Sequence, residues 1–125
     1  MFFKLYKKRR KTKVSSPQYI QYKEKARNLA HSRIFHFNKT YNLFFNRIAI
    51  RNQKRVWGSC SGKGNLNFNY RIILLPIHLA DYIIIHELCH LKELNHSRDF
   101  WKLVSLTFPN YKEARKELKN YRFPI

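Results

Sequence analysis

Acidic residues are scarce in this sequence. The 125 residues hold 7 Asp and Glu against 26 Lys and Arg, a formal charge of +19. Such a chain attracts polyanions and repels its own copies, so nucleic acid, ribosomal RNA and nucleotides are its natural partners. Cysteine is nearly absent. Cys60 and Cys89 are too few for a disulfide framework, and no Cys-x-x-Cys pair exists to build a zinc ribbon. Long apolar runs are missing too. The most apolar stretch, residues 72–85, carries Pro76, His78 and Asp81 and is too short to span a bilayer. Met1–Phe3 is followed at once by Lys4, Lys7, Lys8, Arg9 and Arg10, which is no signal peptide. A cytoplasmic protein is the expectation.

Hydrophobic residues make up 44% of the chain and aromatics 16%, ample for one core and against disorder. Residues 1–15 read as a basic, flexible arm and 16–125 as a single domain. Ser16-Pro17 suits a helix start, and Tyr22, Ala26, Leu29, Ala30, Phe37 and Tyr41 recur at helical spacing to about residues 38–42. Lys23, Lys25, Arg27 and Arg33 fall largely off that face. The period then changes to alternation at Arg47–Arg51 and at Asn65–Asn69. With a strand over Arg55–Cys60 and a turn at Ser61–Gly64, this predicts a small antiparallel sheet of about three strands. Pro76 opens a helix to about Lys92, apolar on nearly every side and therefore central. Ser97 can cap another helix, and Asn110 with Glu113 a last one. The fold class is α+β, with a helix, a small sheet, a central helix and two C-terminal helices.

The central helix carries His86-Glu87-Leu88-Cys89-His90, the H-E-x-x-H pattern. Residues four apart share a helix face, so His86 and His90 can reach one metal, while Glu87 sits beside them as a base for water on that metal. His96 follows at the spacing of a third imidazole ligand. Glu93 and Asp99 are oxygen alternatives, but an imidazole after a helix-ending turn swings back readily. A metzincin is a poor match: Glu93 stands where that pattern has Gly, and the only methionine is Met1. Asn95 is a candidate for the left-handed residue that turns the chain. Cys89, Cys60, Trp57 and Trp101 read as core residues.

These motifs, with Trp57-Gly58-Ser59-Cys60-Ser61, Gly64, Leu66-Asn67, Pro76, Asp81-Tyr82, His96-Ser97, Phe100-Trp101, Pro109 and Tyr111, resemble the YgjP-like family of zincin metallopeptidases and, more distantly, SprT-like proteases. The resemblance implies Zn2+ held by His86, His90 and His96, Glu87 as catalytic acid/base, and the Trp57–Ser61 strand packed beside the metal helix. The family often places Arg directly before the Trp; this chain has Val56 there and Arg55 one earlier.

Three functions are compatible with these residues. The leading one is a zinc-dependent hydrolase, a peptidase in which Glu87 activates a zinc-bound water against a protein or peptide substrate. A second is a nucleotide phosphoanhydride hydrolase using the same site. A third is a non-catalytic nucleic-acid-binding module with structural zinc. Arg55, Asn67, Asn69 and Tyr70 are the candidates to stabilise an oxyanion.

Overall fold

The computed structural model describes residues 2–4 and 16–121. The arm assigned to residues 1–15 therefore lies largely outside the described residues. Its Phe2–Lys4 segment forms a short strand, β1.

Helix α1 spans Pro17–Tyr41. The Ser16 hydroxyl accepts from the Tyr19 amide, which satisfies one of the free donors of the first turn, and Pro17 fills a position that needs no donor. Asn42 ends the helix in the left-handed region at φ 51°. Ala26, Ala30, Ile34 and Phe37 face the core. The two alanines let α1 approach its neighbours closely.

Strands β2 (Arg47–Arg51), β3 (Val56–Cys60) and β4 (Asn65–Asn69) follow. β3 and β4 form an antiparallel hairpin around Ser61–Gly64, with Gly64 at φ 83°. The sheet order is β1-β3-β4-β2, and β2 pairs with β4 in parallel. The sheet is thus mixed and not wholly antiparallel as the sequence suggested. Alternation reveals which face a strand buries but not its partner or direction. Here the parallel register sets Ile48 beside Leu66 and Ile50 beside Phe68, so all four enter the core. β1 pairs antiparallel with β3 and forms the edge beyond it.

A 3-10 segment, Tyr70–Leu74, links the sheet to the next helix and was not legible as an element. The Asn69 side chain caps it by accepting from the Arg71 amide. Helix α2 spans Ile77–Cys89, three residues shorter than expected. From Leu79 to Cys89 every residue is buried. Helices α3 (Arg98–Ser105) and α4 (Tyr111–Lys119) complete the fold. Ser97 caps α3 through its side chain, whereas Asn110 makes no capping hydrogen bond. Asn95 is not left-handed: among the described residues Asn42 is the one non-glycine with positive φ.

Asp81 locks α1 to α2. Arg33 Nε and Nη2 donate to its two carboxylate oxygens at 2.8 and 3.0 Å. The Arg33 side chain is 30% exposed and Asp81 12%, so this pair is only partly screened. Arg33 also lies over the Phe37 ring, which brings it onto the packed side of α1, contrary to the sequence reading. Asp81→Ala, which leaves a half-buried guanidinium unpaired, should lower stability by about 1–3 kcal/mol, below the range for fully buried pairs. Urea denaturation with an unchanged slope checks this.

Candidate metal centre and active site

His86 lies in the last turns of α2, where the helix is enclosed on all sides. Its ring is 1% exposed, and His90, the residue that ends the helix, is 0% exposed. The chain then turns tightly. The Lys92 and Glu93 amides both return to the Cys89 carbonyl, and His90 Nδ1 lies 2.8 Å from the Glu93 carbonyl oxygen. That last contact requires Nδ1 to carry the proton and donate, which leaves the Nε2 lone pair free. His86 Nδ1 lies 3.2 Å from Glu87 Oε2 and can donate there in the same tautomer.

His96 returns from the loop before α3 and brings its Nε2 within 3.0 Å of His86 Nε2 and 3.1 Å of His90 Nε2. Three nitrogen atoms thus converge on one point, all within 4.8 Å of one another. Tetrahedral zinc with Zn–N of about 2.0–2.1 Å spaces its nitrogen ligands about 3.3–3.4 Å apart. The observed spacing fits that ion with small adjustment. His96 is exposed while the other two are buried, so the site opens to solvent on the His96 side.

Aromatic rings fix these imidazoles. Phe100 stacks on His90 at 4.4 Å between centroids, and Trp101 stacks on His96 at 5.8 Å. Ser97 orients both aromatics by starting α3 immediately after His96. Trp101 is therefore half-buried wall rather than core, whereas Trp57 is core at 3% exposure.

Burial is the first cause of every shift in protonation here. It holds His86 well below the ordinary histidine range, with the neighbouring His90, His96 and Arg115 adding to the effect. It takes His90 down to about 4, and lowers His96. All three rings are therefore neutral at pH 7, the form that binds metal. Burial pushes Glu87 well above the usual carboxylate range. A divalent cation at the three nitrogens would oppose that shift.

Glu87 is fully buried, and its Oε1 has no hydrogen-bond partner among the described residues. β3 presses against it at Gly58. A Cβ added there would stand 3.1 Å from Glu87 Cγ and 3.1 Å from the Asn67 carbonyl oxygen. A side chain at this position would press on both groups, so glycine gives the carboxylate its room at this depth. The sequence reading gave Gly58 no such role, since its signal lies in a contact between residues 29 positions apart.

Other candidates are placed elsewhere. Asn69 donates to the Gln53 and Val56 carbonyls. Tyr70 donates to Gln18, and Asn67 donates to Ser59. Arg55 is exposed in the loop before β3. The first three have structural duties. Cys89 and Cys60 are buried, with thiols pushed up to about 12 and about 11 by desolvation. Asp99 and Glu93 contribute no side-chain atom to the three-nitrogen cluster.

His96→Ala should weaken zinc binding by at least 10-fold, within the range associated with disturbing a metal site. Glu93→Ala should have little effect, because His90 is held by the Glu93 backbone oxygen. Chelator competition on the two variants checks the difference; a larger loss in Glu93→Ala would move the third ligand there.

Comparison with known proteins agrees with this geometry. The chain matches the YgjP-like metallopeptidase domain over residues 4–121. No match is found among curated proteins. Among solved structures, it is similar to the metallopeptidase zymogen abylysin of Pyrococcus abyssi, with 28% identity and a TM-score of 0.64, over 77% of this chain and 99% of that one. It is also similar to the metallopeptidase zymogen jannalysin of Methanocaldococcus jannaschii, with 25% identity and a TM-score of 0.52, over 75% of this chain and 89% of that one. The chain belongs to the YgjP-like metallopeptidase family and is a zinc metallopeptidase-like hydrolase.

Proposed function

We propose that the chain is a peptidase in which His86, His90 and His96 hold the zinc ion and Glu87 is the general base and acid. The observation that carries this reading is the convergence of three Nε2 atoms beside a buried carboxylate with an unpartnered oxygen. A zinc ion at these nitrogens would supply a Lewis acid that polarises the substrate carbonyl and makes water easier to deprotonate. Glu87 takes a proton from the attacking water and returns it to the leaving amine. Gly58 lets β3 close over Glu87 and keeps bulk water from its inner side. Phe100 and Trp101 hold His90 and His96 in the orientation that points Nε2 inward.

Glu87→Gln keeps size and hydrogen-bonding capacity but cannot accept the proton. The variant should fold, hold zinc and lose hydrolysis of an unfolded protein substrate by on the order of 10²–10⁴-fold. Zinc content and turnover on one preparation separate the cases. Full activity with full zinc would refute the role of Glu87, and loss of zinc would make Glu87 a ligand.

The charge supports a second, independent partner, nucleic acid. The outward face of the sheet carries Arg47 and Arg51 on β2, Asn65 and Asn67 on β4 and Ser59 on β3, with no acid among them. Three of the acids elsewhere are engaged: Glu24 with Arg27, Asp81 with Arg33, Glu117 with His78. Binding through phosphates should show low sequence preference and fall steeply with salt. Replacing Arg47 and Arg51 together by Glu should flatten the slope of log affinity against log salt by about 2. Salt-independent or absent binding in the native protein would remove this partner.

We propose a reducing compartment such as the cytoplasm, in which free Cys60 and Cys89 persist. Among the described residues no helix is long and apolar enough to cross a membrane.

A further inference from the structure

Two of the three metal-facing imidazoles are held in two ways. His86 and His90 are enclosed at the end of α2, and each has an oxygen within reach of its Nδ1. A hydrogen bond on the ring nitrogen that faces away from the metal is the usual means of orienting a histidine ligand. His96 has neither support. It is exposed, it stands in the loop between α2 and α3, and both of its hydrogen-bond contacts among the described residues are made by Nε2. Its ring must be set by packing.

The start of α3 supplies that packing. Ser97 is the N-cap, with its hydroxyl accepting from the Phe100 amide. His96 is therefore the residue before the cap, and Trp101 is the fourth residue of the helix. Side chains at these two positions commonly pack on each other and fix the angle at which the chain enters a helix. Here the pair is a metal-facing imidazole on an indole, 5.8 Å between centroids and 23° between planes. The same indole stands edge-on to His86 at 6.1 Å and 62°. Phe100 meets the His96 ring at right angles to this stack, at 5.1 Å and 88°.

Trp101 is braced in turn by α4. Tyr111 stacks on the indole at 4.9 Å and 14°. Arg115 is four residues on, hence on the same face of α4, and sets its guanidinium carbon 5.1 Å from the indole centroid. Glu113 and Glu117, each two residues beyond one of this pair, fall about 200° round the helix from it. They line a separate cavity with His78. The indole is thus the ring common to two stacks, one on a metal-facing imidazole and one on α4. Both Trp101 and Tyr111 are half-buried.

We infer that Trp101 and Tyr111 are positioning residues for the third metal ligand, and that the packing of α4 on α3 sets how firmly His96 closes the site. The inference rests on the assignment of His96 as that ligand. Stacking restrains the plane of the imidazole and the swing of the loop that carries it, which is the task a hydrogen bond performs for the other two rings. Neither Trp101 nor Tyr111 contributes an atom to the nitrogen cluster, so both act on the metal only through His96.

The test is a double-mutant cycle on zinc affinity, read by chelator competition in the full chain. Trp101→Ala should weaken zinc binding on the order of 10-fold, as for other groups that orient a ligand. Tyr111→Ala should weaken it by about 2–10-fold, the effect of one aromatic stack. Trp101→Phe should recover part of the loss, and Tyr111→Phe should bind as wild type, because each keeps a ring. Each alanine change is then made in His96→Ala. There it should leave the remaining zinc affinity unchanged, since the ring it would position is gone. An equal loss with and without His96 would make the aromatics structural and overturn the inference. Wild-type affinity in both alanine variants would overturn it as well, and so would Tyr111→Phe falling as far as Tyr111→Ala. Should Trp101→Ala fail to fold, the Tyr111 arm carries the same comparison. His96→Ala with undiminished zinc affinity would instead refute the ligand assignment itself.

Discussion

A helix enclosed on every side must account for each polar group that it carries, since an unpaired one costs several kcal/mol. α2 is such a helix, buried without a break from Leu79 to Cys89. Besides the Tyr82 hydroxyl, its buried polar groups belong to Asp81, His86 and Glu87, with His90 at the end. Asp81 is answered by Arg33 of α1. Each of the two histidines uses one ring nitrogen on an oxygen within its own segment, Glu87 Oε2 or the Glu93 carbonyl. The Nε2 atoms remain, pointed with His96 at a common centre. Most of the architecture serves this one condition: the early end of the helix, the tight turn at His90–Glu93, and the aromatic wall of α3.

The same economy shapes the charge distribution. With 7 acids in the chain, each has a readable position. One is buried beside the metal centre, one ties two helices together, and those of α4 face away from the site. The result is a basic exterior around a single buried carboxyl group set deep under β3. Gly58 is the place where the two meet. Its missing side chain lets the sheet approach the helix, and β4 supplies the backbone oxygen that limits the space from the other side.

Much of the metal centre was legible because it is local. His86, His90 and His96 fall within eleven residues, and helical periodicity alone places the first two on one face. The α1 cap at Ser16, its end at Asn42 and the Ser61–Gly64 hairpin were readable for the same reason. What escaped the sequence is what long-range packing decides. The parallel partnership of β2 and β4, the Arg33–Asp81 bond, the closeness of Gly58 to Glu87 and the reach of Arg115 to Trp101 join residues distant in the chain. Asn95 was given a left-handed turn that the chain does not need, because the His90–Glu93 hydrogen bond and the returning amides already reverse it. Asn110 and Glu113 carried a capping pattern, but Asn110 makes no such bond, and Glu113 turns to the cavity beside His78.

The centre of this account is the set of three imidazoles with a fourth position left to an oxygen ligand. Zinc K-edge X-ray absorption on the metal-loaded protein reads that set directly. The expected spectrum has three imidazole nitrogens at about 2.0–2.1 Å, one further light-atom ligand and no sulfur. A sulfur shell near about 2.3 Å, which would bring in Cys60 or Cys89, or a closed set of four protein ligands, would contradict it.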